Sequence, residues 1–170
     1  MAHPIVELAR KAIEVYVKEH KLLAAPDNLA PEMKQKAGVF VSLHKHGDLR
    51  GCIGTFMPMA ENLAEEIIHN AIESATKDPR FLPVINSELS DLDISVDVLT
   101  EPVPVKSIEE LDPKKYGVIV KDAYNRRGLL LPDIPGVESV QQQIEICRKK
   151  AWIEPDDPIE LFRFEVKRYH

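Results

Sequence analysis

A chain of 170 residues with 44% hydrophobic and 29% charged residues is long and apolar enough to fold around a sizeable core, which excludes a disordered chain. Its formal net charge of −6 argues against a protein that coats nucleic acid or an anionic membrane by bulk charge. Two cysteines without CxxC or Cys/His spacing, no signal-peptide pattern and no long apolar run point to a reducing, cytoplasmic setting.

Pro4 to about Leu22 is predicted to be an amphipathic helix, because Ile5, Leu8, Ala9, Ala12, Ile13 and Tyr16 recur at helical spacing behind a first-turn proline. The pattern fades between Ala25 and Ala37, a surface connection. Gly38 to His46 then alternates, with Val39, Val41 and Leu43 on one face, and Leu49 to Phe56 returns as the second strand of a hairpin. Gly47-Asp48 is the expected two-residue turn, of type II′ with glycine first. Ala60 to about Thr76 is the second helix, with Leu63, Ile67, Ala71 and Ala75 on one face, and Asp78-Pro79 ends it. Ile94, Val96 and Val98 mark a half-buried strand whose far end is capped by Glu101 to Pro104. Ser107 and Glu110 are placed as a capping box on a short helix. Gly117 to Asp122 and Gly128 to Leu131 form a second hairpin, Val137 to about Lys150 a third long helix, and Glu160 to Tyr169 the last strand. Without a repeated βαβ rhythm, the class is α+β with a largely antiparallel sheet flanked by helices.

The segment Leu49 to Phe56, LRGCIGTF, breaks the rules of a packing strand. Glycine inside a strand marks a bulge or a close approach to the backbone. Cys52 is the candidate nucleophile, and the turn at Gly47-Asp48 sets it opposite Leu43 on the core face. That register makes it a buried small hydrophobe; a three-residue turn would instead set His44 opposite Cys52. Arg50 and Arg80 are candidate anion ligands, since a guanidinium fork suits carboxylate or phosphate, with Gly51, Gly54 and Thr55 orienting the same ligand. The structural alternative for Arg80 is an ion pair with Asp78 at the end of the second helix. His44 and His46 share a strand face but lack an evident third metal ligand, so neither a metal nor another cofactor is expected. The basic clusters Arg126-Arg127 and Arg148-Lys149-Lys150 read as solvated faces, which disfavours nucleic-acid binding.

Taken in order, LRGCIGTF, NAIESATKDPRFLPV from Asn70, ISVDVLTEP from Ile94 and RRGLLLPDI from Arg126 resemble the signature of the AMME chromosomal region protein family. Its prokaryotic members are labelled AmmeMemoRadiSam system protein A. The resemblance covers about Gly38 to Val166. It implies one domain over 1–170 with a larger and a smaller lobe sharing one core, their boundary not readable from the sequence. It also implies Memo-like and radical-SAM proteins as partners, and no settled activity. The chain departs from the family pattern at Asp133, where members often carry glutamine, and near Trp152, where many carry glycine. Two functions follow as expectations. One is a small anion-binding protein or enzyme with its site at LRGCIGTF. The other is a non-catalytic subunit docking on those partners through the same patch. RNA binding or modification is a third, weaker expectation.

Overall fold

Helix α1 (Pro4–Glu19) starts where the sequence places it: proline occupies the first turn and the His3 ring accepts a hydrogen bond from the Ile5 amide at 3.3 Å. These and all following positions come from a computed structural model that describes Met1 to His170. The chain divides into two units, Met1–Leu99 with Lys167–His170, and Thr100–Val166.

In the first unit, α1 and α2 (Leu63–Thr76) lie on a four-stranded sheet. Its strands are β1 (Val39–Lys45), β2 (Asp48–Thr55), β3 (Leu92–Leu99) and β8 (Val166–Tyr169), in the order β2-β1-β3-β8. The hydrophobic stripe of α1 meets Ile67, Ala71 and Ala75 of α2 and the alternating Val39, Val41, Leu43, Ile94 and Val96 in one buried cluster. Each fully buried Val, Leu or Ile there stabilises the fold by about 1.5–3 kcal/mol. Strand β2 is a free edge of the sheet.

In the second unit the sheet order is β4-β7-β5-β6, formed by β4 (Val103–Val105), β5 (Gly117–Asp122), β6 (Arg127–Leu130) and β7 (Ile159–Phe164). Helix α3 (Val140–Ala151) opens with the Ser139/Gln142 capping box and lies on β5 and β6. Gly128 has no side chain because the Cys147 carbonyl occupies the space a Cβ would need. The Cys147 thiol is fully buried against the Val118 carbonyl, and burial pushes its pKa up to about 12, so it is a core residue and not a reagent.

The α+β class and the antiparallel pairing stand as expected. Four details differ. The shared core resolves into two clusters of buried residues, one per unit, because each sheet is covered by its own helices. The last strand is two strands in different sheets, since Glu165 leaves β7 to pair with Thr100. The Glu101–Pro104 cap contributes to a strand, β4, at a sheet edge where proline is tolerated. Finally, the first hairpin turns at His46-Gly47, one residue early. Both residues have positive φ, 52° and 86°, so the turn is of type I′ and not II′.

Candidate functional site

The β1–β2 ladder decides where Cys52 points. Lys45 pairs with Asp48 and His44 with Leu49; then Leu43 skips to Gly51, leaving Arg50 as a bulge. Moving the turn by one residue alone would have kept Cys52 on the core face, opposite Val41. The bulge changes the parity, so Cys52 sits opposite Ser42 on the face turned away from the helices. The expected Leu43–Cys52 pairing and buried thiol are therefore corrected: Cys52 is half-buried, its Sγ 3.2 Å from the Ser42 Oγ. Continuing alternation along β1 puts His44 on that same face, two residues beyond Ser42.

Arg50, released by the bulge, reaches Glu88 with a two-pronged ion pair, Nε–Oε1 3.0 Å and Nη2–Oε2 2.9 Å. Lys45 adds a third contact at 3.1 Å. The Arg50 hydrogen bonds hold the Glu88 carboxyl down at about 2. Arg50 is thus committed to an internal carboxylate.

Arg80 lies at the free edge of β2. The buried Asp78 carboxylate accepts the Cys52 amide at 2.9 Å and the Arg80 guanidinium through Nε at 3.0 Å and Nη2 at 2.7 Å. Arg80 Nη2 also reaches the Cys52 carbonyl at 3.5 Å. Asp78 and Arg80 together occupy the edge hydrogen-bonding groups of Cys52 as a neighbouring strand would. The hydrogen bond from Arg80 keeps the Asp78 carboxyl well below the usual carboxylate range. The Arg80 side chain is still 55% exposed, with Nη1 outside the fork to Asp78. The ion pair anticipated at the end of α2 is present, and Arg50 and Arg80 share no partner.

The small residues of the motif are occupied by the fold itself. At Gly51 the group that approaches the backbone is the Ser74 carbonyl in the last turn of α2. At Gly54 it is the Phe40 ring and the Val39 carbonyl. Thr55 Oγ1 donates to Glu66 and accepts from Asn70 at 3.1 Å.

The sequence reading missed Glu66, Asn70 and Ser74, which lie at four-residue spacing on α2 and are each almost fully buried. Glu66 accepts the Met59 and Ala60 amides at 2.8 and 2.7 Å. Asn70 donates to the Val39 carbonyl at 3.1 Å. Ser74 accepts from Ile53 N at 2.9 Å and donates to the Val41 carbonyl at 2.8 Å. Asp78 continues the series four residues on. The signal was available as a polar row beside the apolar face of α2. No group of three or more His, Cys, Asp or Glu side chains is placed to hold a metal ion, and no helix is long and apolar enough to cross a membrane.

The β2–α2 joint thus carries the two most distinctive stretches of the chain, LRGCIGTF and NAIESATKDPR. Those stretches lie within a match to the AMMECR1 family over residues 6–169. The chain belongs to the AMMECR1 family. A Thermotoga maritima protein is 54% identical over 171 residues, covering 98% of this chain and 97% of the relative. A Clostridium acetobutylicum protein is 49% identical over 168 residues, and the matched region is 36% of its length, so this chain spans about a third of that relative. The crystal structure of an uncharacterized protein from Pyrococcus horikoshii superposes with a TM-score of 0.87 at 33% identity, over 96% of this chain and 88% of the other.

Proposed function

We propose that the protein binds a small anionic molecule beside Cys52, with the Cys52 thiol as the reactive group of the site. The observation that carries this reading is the Arg50 bulge. It turns Cys52 out of the core and leaves it next to Arg80, a guanidinium that Asp78 orients but does not cover. A fork fixed on one side by a buried carboxylate presents its remaining N–H groups to a carboxylate or phosphate. Ser42 contacts the sulfur, and His44 on the same face is the candidate base. Arg50, Gly51, Gly54 and Thr55 support the strand and do not touch the ligand.

Alkylation rates test it on the native protein. Cys52 should label in the folded state while Cys147 labels only after unfolding, and iodoacetate should react faster than uncharged iodoacetamide. An ordinary thiol shows the opposite order, because the negative reagent is repelled by thiolate. Arg80→Gln should restore that ordinary order. Silence of Cys52 in the folded protein would remove the reading.

A second reading is a docking subunit for a Memo-like protein. It is favoured by Met57, Met59, Leu82 and Ile85, which are 48%, 80%, 83% and 59% exposed on the segments following β2 and α2. In the Clostridium relative, moreover, about two thirds of the chain lies outside the matched domain. Met59→Glu with Leu82→Glu should then abolish co-purification with a Memo-like protein and leave the Cys52 alkylation order unchanged. Unchanged co-purification would discard this second reading.

A further inference from the structure

Trp152 ends α3 in a conformation that suits glycine. Its φ is 59°, in the left-handed region where a bulky L-residue is disfavoured, and the residue is 84% exposed. The backbone is held there from outside the helix: Arg126 donates to the Trp152 carbonyl at 2.7 Å and is itself anchored on Asp122 at 2.6 Å and Asp157 at 3.4 Å. The indole therefore projects from an anchored backbone.

Beside it runs a groove of about 750 Å³ whose apolar walls are Ile144, Trp152, Ile153 and Pro155. That volume, with apolar walls and a few polar groups, is what a small organic ligand occupies. Two cations also line the groove. Lys149 is neutralised by Glu145 at 3.2 Å. Arg148 has only carbonyl oxygens as partners, those of Glu154 and Asp157, so its charge lacks a carboxylate counter-ion. Glu154, also on the groove, makes no ion pair and gives one lip a negative charge that disfavours a polyanion such as nucleic acid.

We propose that this groove is a second binding site, for a flat organic monoanion whose rings lie on Trp152 and Ile144 and whose acid group meets Arg148. The aromatic surface and the uncompensated guanidinium supply the two halves of that recognition. The site is independent of Cys52.

Trp152 is the single tryptophan of the chain, so its emission reports this groove alone. The probe is anilinonaphthalene sulfonate, an aromatic monoanion, compared with N-phenylnaphthylamine, which has similar rings without the acid. The sulfonate should quench Trp152 saturably and bind about tenfold or more tighter than the uncharged probe, as one charge-assisted contact implies. Arg148→Gln should weaken sulfonate binding by a similar factor. Trp152→Gly should raise the thermal midpoint by a few degrees, because glycine relieves the left-handed backbone, and should still lose the probe. Equal affinity for the two probes, or full sulfonate binding by the stable Trp152→Gly protein, would overturn the proposal. So would concentration-dependent dimerisation abolished by Trp152→Gly, which would assign the groove to a second copy of the chain.

Discussion

Replacing Gly51 with alanine should destabilise the first unit by about 2–3 kcal/mol, the scale of an overpacked core site. The methyl group would be driven into the Ser74 carbonyl, which is helix backbone and cannot rotate away as a side chain can. Either α2 lifts from β2 or the strand bows, and both responses strain the buried Ser74, Asn70 and Glu66 contacts along the joint. A denaturation midpoint for Gly51→Ala reads the loss directly. Gly47→Ala is the control: nothing lies within 4 Å of its added methyl, and only the turn's φ of 86° opposes it, so it should cost about 1 kcal/mol. Equal losses in the two variants would show that α2 does not rest on Gly51.

Acid should unfold the protein chiefly through Glu88 and Asp78. Glu88 is 14% exposed, and its pKa falls from the ordinary 4.5 to about 2 because Arg50 and Lys45 hold its ionised form. A carboxyl whose folded pKa is depressed contributes stability that is complete above its unfolded value. That stability drains away as pH falls toward the folded value. The contribution is about 2–3 kcal/mol, the lower figure allowing for solvent screening, and it disappears between pH about 4.5 and about 2. Asp78, shifted in the same direction by Arg80, adds to the loss below pH about 4. In Glu88→Gln the contribution should already be gone at neutral pH, and the decline of stability with acid should be shallower. Urea midpoints of both proteins across that pH range settle the matter; parallel curves would mean that Glu88 is not the titrating group.

The site was partly legible because its special residues are special for local reasons. Glycine at position 51 announced a close approach, and Asp78 near Arg80 announced an ion pair. What approached could not be read. A missing Cβ is compatible with a ligand, a helix or a ring, and only the packing of α2 and Phe40 chooses among them. Arg50 shows the same limit. Its partner Glu88 is 38 residues away, beyond any local pattern.

By itself the sequence determined the α+β class, the three long helices, the hairpin of β1 and β2 and the capping box at Ser107. Those follow from hydrophobic period, capping chemistry and turn residues, which act over a few positions. Only the tertiary structure decided which face carries Cys52. A two-residue turn at 46–47 or at 47–48 leaves the parity of the ladder unchanged, whereas one bulged residue reverses it. The bulge is fixed by contacts distant in sequence: Arg50 and Lys45 converging on Glu88, and the last turn of α2 lying on Gly51. Long-range packing thus set the orientation of the one thiol outside the core.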